Sequence, residues 1–409
     1  LILDMRKRIE GEKFMLKTKV GYSTQKDSFT KGVETAKKAK LGMKPKLGLL
    51  YTSCQDDVEE VVKGVRSTMR GVPVVGCTSS GMVMTNDGII ASEDGFAAMM
   101  SFDDKNLSVG VACHEAGKNA REIGRKVARE AVLNAGATYS PDYFYMVASP
   151  KEEEDYLMGI QDIIGRVPMF GGSAADDTVE GNWKVYCNDK VFSDGVAVVF
   201  FYTDNEIATS YTGAYRESDN VGLITEVKNN RTLAKIDGVS ALKKYAEWTG
   251  TTVDKLHGQN LLVASITKPL GVKDPLGNLT VVRHPMFGDD QGTKTPNDDT
   301  INLGNKVVEK TAIIQLEATV DELIDSTKAT LKDLKSQLSC DPAGYVLVHC
   351  GGRKLGIGNR IDEVYNNLVE EAHGVPFITI FTFGEYGYDE HSCNICGGLM
   401  LSFTGFGKE

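Results

Sequence analysis

The chain has 409 residues, of which 41% are hydrophobic and 25% charged, and its formal net charge at pH 7 is −10. Such a length corresponds to about two or three domains with buried cores, and the apolar fraction excludes a disordered chain. The excess of acidic residues argues against a nucleic-acid-binding protein, which needs a basic face. No run approaches the roughly 20 apolar residues of a membrane helix. The eight cysteines show no disulfide framework, which is typical of a soluble cytoplasmic protein.

The predicted elements form a unit of helix, strand, helix, strand and strand that occurs three times. Apolar residues at helical spacing, such as Val58, Val61, Val62 and Val65, predict the helices. In chain order the predicted helices are 29–40, 56–69, 119–134, 153–164, 320–338 and 360–372, and the strands between the members of each pair are 47–51, 143–147 and 345–348. Each second helix leads to Val-Pro, an apolar pair and a loop of small or polar residues, at 71–81, 167–177 and 374–385. A second apolar run follows each loop, at 94–102, 194–202 and 397–403.

A different region, 206–316, separates the second unit from the third. It contains short predicted strands, a helix at 238–249 and a stretch at 287–305 rich in turn-forming residues. We therefore predict two domains, residues 20–230 with two units and residues 231–409 with the third. Strands separated by helices, with hairpins after the Val-Pro strands, predict an α/β fold of mixed β-sheets covered by helices.

The loops after the Val-Pro strands are the first candidates for a binding site, because small residues at strand ends let backbone N–H groups approach a polar ligand. The alternative is that these residues only close tight turns. Two arginines, each at or after the end of a strand, are candidates for clamping a carboxylate. The candidates from the loops are Cys77, Thr78, Ser79, Ser80, Gly171, Gly172, Ser173 and Asp176, and the arginines are Arg283 and Arg353.

Histidine and cysteine residues near the C-terminus raise the alternative of a metal site. His391, Cys393 and Cys396, with His349 upstream, have the side chains that zinc or iron selects. The same cysteines also suit a strand in which they pack as small hydrophobes. A third hypothesis makes Cys77 the nucleophile of a thiol-dependent enzyme, although no base lies near it in sequence.

At these motifs the sequence resembles the FIST family, whose members carry paired N-terminal and C-terminal FIST domains. The resemblance extends over about residues 20–405. The stretches that carry it are 21–23, 74–81, 167–177, 191–198, 236–238 with 241–242, 282–283, 381–385 and 391–394.

The resemblance implies a sensory module for small molecules, with amino acids or their relatives as ligands, rather than an enzyme. Arg283 or Arg353 would then neutralise a ligand carboxylate, Glu385 or Asp176 would receive its ammonium group, and Asn394 would join the site. Family members are fused to, or encoded beside, kinases, cyclases or chemotaxis receptors. We therefore expect the signal to pass to a separate histidine kinase, cyclase or chemoreceptor. No cofactor is expected, and haem is the alternative, since some members are described as haem sensors of nitric oxide.

Overall fold

The structure is a computed structural model that describes residues 15–274, 279–288, 299–389 and 394–409. The first unit comprises β1 (Lys17–Ser23), α1 (Ser28–Lys40), β2 (Leu47–Thr52), α2 (Val58–Thr68), β3 (Val74–Thr78), β4 (Val83–Thr85), β5 (Gly88–Ile90) and β6 (Ala97–Asp103). The second comprises β7 (Ser108–Glu115), α3 (Ala120–Asn134), β8 (Tyr143–Ala148), α4 (Glu153–Ile164), β9 (Met169–Ser173), β10 (Val185–Cys187), β11 (Lys190–Phe192) and β12 (Gly195–Tyr202).

The third unit is interrupted by an insertion. After β13 (Ile207–Thr212) the insertion comprises β14 (Arg216–Lys228), β15 (Thr232–Ile236), β16 (Val239–Ser240), α5 (Ala241–Thr249), α6 (Asn260–Ala264), β17 (Leu270–Lys273), β18 (Thr280–Arg283), β19 (Pro285–Gly288), β20 (Ile301–Leu303) and β21 (Ala312–Glu317). The unit then resumes with α7 (Val320–Gln337), β22 (Pro342–Cys350), α8 (Gly351–Ile357), α9 (Ile361–Ala372), β23 (Phe377–Thr382), β24 (Glu385–Tyr388), β25 (Asn394–Gly397) and β26 (Leu401–Gly407).

Three six-stranded sheets share one arrangement. Their strand orders are β1-β6-β2-β3-β10-β11, β7-β12-β8-β9-β24-β25 and β13-β26-β22-β23-β4-β5. The two central strands of each sheet are parallel and are joined through a crossover helix, whereas the outer strands are antiparallel. The insertion forms a fourth, eight-stranded sheet. The chain is thus an α/β protein of mixed sheets, as predicted.

The last two strands of each six-stranded sheet come from a different unit. The hairpin β4–β5 of the first unit completes the third sheet, β10–β11 of the second completes the first, and β24–β25 of the third completes the second. Each unit therefore gives a hairpin to one neighbour and receives one from the other. The units are interlocked, because separating any two of them would break a β-ladder.

The predicted helices are confirmed with small differences at their ends. The predicted hairpins after the Val-Pro strands are present as β4–β5, β10–β11 and β24–β25, but each lies in the sheet of another unit. The apolar run β6 lies beside β1 and β2 and does not pair with β3, because β10 occupies the other edge of β3. The same holds for β12 and β26 in the other two sheets. Helix α8, which begins directly where β22 ends, was not predicted.

The inner faces of the three sheets enclose a common core. Tyr51 of the first sheet, Tyr145 of the second and Val348 of the third belong to one cluster of buried side chains. The rings of Phe170 and Phe406, from the second and third sheets, pack edge to face with their centroids 5.8 Å apart. Separate apolar clusters form where helices pack on the sheets. The ends of the central strands therefore meet at one end of this core.

Candidate ligand-binding site

The loops that follow β3, β9 and β23 converge and are hydrogen-bonded in a closed ring. The amide of Ser80 donates to the carbonyl of Phe381 at 2.9 Å, and the amide of Ala175 donates to the carbonyl of Thr78 at 3.1 Å. The amide of Phe383 donates to the carbonyl of Ser173 at 3.2 Å. Each unit thus donates at least one backbone hydrogen bond to another unit, and the predicted loops lie together at the ends of the central strands.

A cavity of about 130 Å³ opens beside this ring, and we call it the loop cavity. Its polar wall includes Ser80, Asp177, Lys354 and His284, and apolar side chains such as Phe383 close the rest. The Nζ atom of Lys354 donates to the carbonyl oxygen of Ser80 at 2.7 Å and lies 3.4 Å from its Oγ. Burial lowers the pKa of Lys354, although the nearby Asp177 carboxylate opposes this shift.

Asp176 shapes one wall of the loop cavity without lining it. Its buried carboxylate accepts hydrogen bonds from successive backbone amides at distances of 2.5 to 3.2 Å, those of Thr178, Val179, Glu180, Gly181 and Asn182. The loop is folded so tightly that Val179 has a φ of 62°, in the left-handed region that β-branched residues avoid. Val179 in turn lines the loop cavity. Asp176 is therefore a positioning residue, and its acceptor capacity is used by the loop.

The other predicted loop residues lie within the protein core. Thr78 and Ser79 use their hydroxyl groups in hydrogen bonds to backbone groups. Gly171 and Gly172 lie in β9, where a Cβ atom would collide with neighbouring atoms. Ser173 is buried and donates to Glu153 at 2.9 Å. These residues build the ring of loops but do not line the loop cavity.

Cys77 is fully buried in the core that the three sheets share. Burial raises the pKa of its thiol, so the reactive thiolate is disfavoured. The hypothesis of a thiol-dependent enzyme acting through Cys77 is therefore wrong.

Arg353 and Glu385 form a buried polar cluster behind the loop cavity. Arg353 donates through Nη2 to the carbonyl of Leu323 at 2.7 Å. It does not line the loop cavity. The carboxylate of Glu385 accepts from Thr382 Oγ1 and from the amide of Met400, both at 2.9 Å. Burial raises the pKa of Glu385 to about 8. Both oxygens of the Glu385 carboxylate and the Nη2 atom of Arg353 thus have partners within the protein, whereas Arg353 Nε is buried with no hydrogen-bond partner among the described residues.

A second cavity, of about 270 Å³, is lined by Arg283, Lys306, Glu154, Asn394 and Cys396, and we call it the arginine cavity. Arg283 Nη1 donates to the carbonyl of Cys396 at 3.1 Å. The Nε atom of Arg283 is buried and has no hydrogen-bond partner among the described residues.

Asn394 and Glu154, which also line the arginine cavity, both form hydrogen bonds within the protein. Asn394 is held in place, because its Nδ2 donates to the carbonyl of Val167 at 2.9 Å and its Oδ1 accepts from Gln161 at 2.7 Å. Glu154 accepts from the amide of Lys306 at 2.8 Å and from Arg231 at 2.7 Å. The cavity therefore combines cationic, anionic and apolar walls.

The structure describes only some of the residues proposed for a metal or haem site. His391 and Cys393 lie outside the described residues. His349 is fully buried, with Phe381 against its ring at a centroid distance of 5.1 Å, and burial lowers its pKa to about 3. Within the described ranges, no group of three or more His, Cys, Asp or Glu side chains is placed to hold a metal ion. The surroundings of His349 leave no room for a porphyrin and do not fit haem.

Sequence reasoning selected Arg353 and missed its neighbour Lys354. Because α8 begins at Gly351, successive residues point in different directions, so that Arg353 is buried and Lys354 lines the loop cavity. Glu154 and Lys306 of the arginine cavity were also missed. They lie far apart in sequence and carry no local motif that distinguishes them from surface charges.

The fold is that of an α/β protein with cavities at strand ends, where such folds bind small ligands. The chain matches the FIST N domain over residues 46–239 and the FIST C domain over residues 241–388. It therefore belongs to the FIST family, whose domains are generally sensory modules for small ligands. None of the described helices is long and apolar enough to cross a membrane.

Similarity to other known proteins is weak. No curated protein matches the chain. Among solved structures, cyanuric acid hydrolase from A. caulinodans is 8% identical with a TM-score of 0.37, covering 95% of this chain and 99% of that one. PurLQS from Thermotoga maritima is 8% identical with a TM-score of 0.24, covering 96% and 72%. Similarity at this level says nothing about the activity of the chain.

Proposed function

We propose that the chain is a cytoplasmic sensor that binds a small carboxylate or amino acid in the arginine cavity. The observation that carries the proposal is the buried Nε of Arg283, which lacks a partner among the described residues. An unpaired buried N–H costs about 1–3 kcal/mol, and a ligand carboxylate would satisfy it. A guanidinium group also suits a carboxylate in geometry and charge.

The other walls of the arginine cavity favour an amino-acid-like ligand. Glu154 supplies a carboxylate that could accept a hydrogen bond from a ligand ammonium group, since a carboxylate has about four acceptor positions and two are in use. Val272, Val281 and Val307 offer apolar contacts for a side chain. The volume of about 270 Å³ lies just below the range for drug-sized ligands, which suits a smaller molecule.

The position of the arginine cavity suggests how binding would be signalled. Arg283 lies at the end of β18 in the inserted sheet, whereas Cys396 lies in β25 of the second six-stranded sheet. A ligand that contacts both would favour one relative position of the two sheets. The changed surface would then be read by a separate histidine kinase, cyclase or chemoreceptor.

A thermal-shift screen with the common amino acids and small carboxylates such as acetate and succinate tests this proposal. We expect a compound that stabilises the wild-type protein and stabilises Arg283→Met far less, because the charged hydrogen bonds are lost. Arg129→Met, which removes a surface arginine in α3, is the matched control and should respond as the wild type does. Equal stabilisation of Arg283→Met would contradict the proposal.

A further inference from the structure

The loop cavity contains a serine and a lysine in close contact at the junction of units. Lys354 Nζ donates one hydrogen bond to the carbonyl of Ser80 at 2.7 Å, which fixes the amine 3.4 Å from Ser80 Oγ. Gly81, with a φ of 70°, approaches so closely that a Cβ atom there would lie 2.8 Å from this nitrogen. The hydrogen bond to the Ser80 carbonyl thus holds the amine beside the hydroxyl group, and the absence of a side chain at position 81 leaves room for it.

Two further features indicate that the loop cavity is a built site. Its wall includes Val179, whose left-handed backbone conformation is imposed by the buried Asp176 carboxylate. Strained residues of this kind cluster at functional sites. Its remaining walls include the apolar side chains of Met286 and Phe383, which would shield part of a bound molecule from water.

We propose that Ser80 and Lys354 form a nucleophilic pair that attacks the carbonyl carbon of a small amide or ester bound in the loop cavity. A serine activated by an adjacent base is a recurrent nucleophile, and lysine serves as that base in several folds. This activity goes beyond the sensing of a ligand in the arginine cavity and does not depend on it.

The reaction begins with Lys354 as a neutral amine. The Ser80 Oγ forms a bond to the carbonyl carbon while its proton passes to Nζ, which gives a tetrahedral oxyanion. The oxyanion collapses, the bond to the leaving amine or alcohol breaks, and the proton on Nζ passes to that leaving group. Water then attacks the acyl-serine, Lys354 takes its proton and returns it to Ser80 Oγ, and a carboxylic acid is released.

The surroundings of Lys354 together lower the pKa of its amine. Burial lowers its pKa, and this is the dominant influence. Asp177, on the loop after β9, and Cys54, after β2, act in the opposite direction. Burial raises the pKa of Cys54 to about 12, so its thiol is uncharged at neutral pH. His349 is also neutral there, because its pKa is about 3.

Methanesulfonyl fluoride, a small reagent that sulfonylates nucleophilic serines, tests the pair in the full chain. We expect modification of Ser80, located by peptide mass spectrometry, at a rate that rises with pH through a midpoint below the ordinary lysine value of about 10.4. Ser80→Ala should abolish this modification. Lys354→Met and Lys354→Arg should each slow it by about 100-fold, since neither side chain acts as a base at these pH values.

The protein provides a matched control in Lys184 and Ser193, which are hydrogen-bonded at 2.7 Å but line neither cavity. Ser193 should remain unmodified, and Ser193→Ala should leave the modification of Ser80 unchanged. An unmodified Ser80 in the folded wild-type protein would overturn the proposal. So would equal rates in the wild type and in both folded Lys354 variants. Arg283→Met should be modified like the wild type, which separates this test from that of the proposed function.

Discussion

At the residue scale, burial decides which of the predicted polar residues remain available to a ligand. Ser80 and Arg283 line cavities, whereas Cys77 and Arg353 are enclosed in the protein. The sequence shows residue type and neighbours, but it does not show the direction in which a side chain leaves a loop. That direction depends on α8 for Arg353 and on the shared core for Cys77. The types of residue that line the cavities could thus be predicted from the sequence, whereas which of the predicted residues are accessible to a ligand could not.

The raised pKa of the single residue Glu385 predicts that the free energy of unfolding depends on pH. Its pKa is raised by burial from an ordinary value of about 4.5 to about 8 in the folded protein. Between these two values the folded state holds a proton that the unfolded state has lost, so the contribution of Glu385 to stability is complete below about pH 4.5 and is lost as pH rises to about 8. The slope from this group has an upper limit of about 1.4 kcal/mol per pH unit.

Denaturant unfolding of Glu385→Gln across this pH range measures the effect. The neutral glutamine should flatten the decline in stability relative to the wild type. Glu370→Gln is the control, because the pKa of Glu370 is lowered by Lys328 and its charge does not change within the range. An unfolding free energy that changes with pH in the same way in Glu385→Gln and in the wild type would contradict the raised pKa of Glu385.

At the element scale, local patterns predicted the helices well and the strand pairing poorly. The predicted helix 153–164 coincides with α4, since amphipathic spacing is a local property. Strand β4 of the first unit pairs with β23 of the third, although the two strands are almost 300 residues apart in sequence. No local sequence pattern predicts pairing over such a separation. The hairpins after the Val-Pro strands were therefore predictable, whereas the sheets that they join were not.

Because the hairpin β4–β5 of the first unit belongs to the third sheet, we predict that a destabilising substitution in β4 also destabilises that sheet. Met84 is fully buried and pairs with Thr379 of β23. Met84→Ala should cost about 2–5 kcal/mol of unfolding free energy and should speed amide hydrogen exchange in β23. Ile89→Ala, in the partly buried outer strand β5, is the control and should have a smaller effect. Faster exchange confined to β4 and β5 would contradict the exchanged topology.

At the scale of the whole molecule, the proposed small-ligand sensor and the haem alternative predict different absorbance spectra. We expect that haemin added to the purified protein gives no saturable Soret band, because His349 is enclosed by Phe381. Absorbance spectra of the wild type and of His349→Ala and His391→Ala measure this, with His257→Ala as the control. A saturable band that one of the first two variants loses would contradict our account and establish the haem alternative.

The most direct test of the account is isothermal titration of the full chain with amino acids and small carboxylates. The account predicts heat of binding with at least one of these compounds. It also predicts that Arg283→Met weakens that binding by roughly 10- to 100-fold, as the loss of a charged hydrogen bond would. Arg129→Met should bind like the wild type. Absence of heat with every compound, or unchanged affinity in Arg283→Met, would contradict the assignment of the arginine cavity as the sensory site.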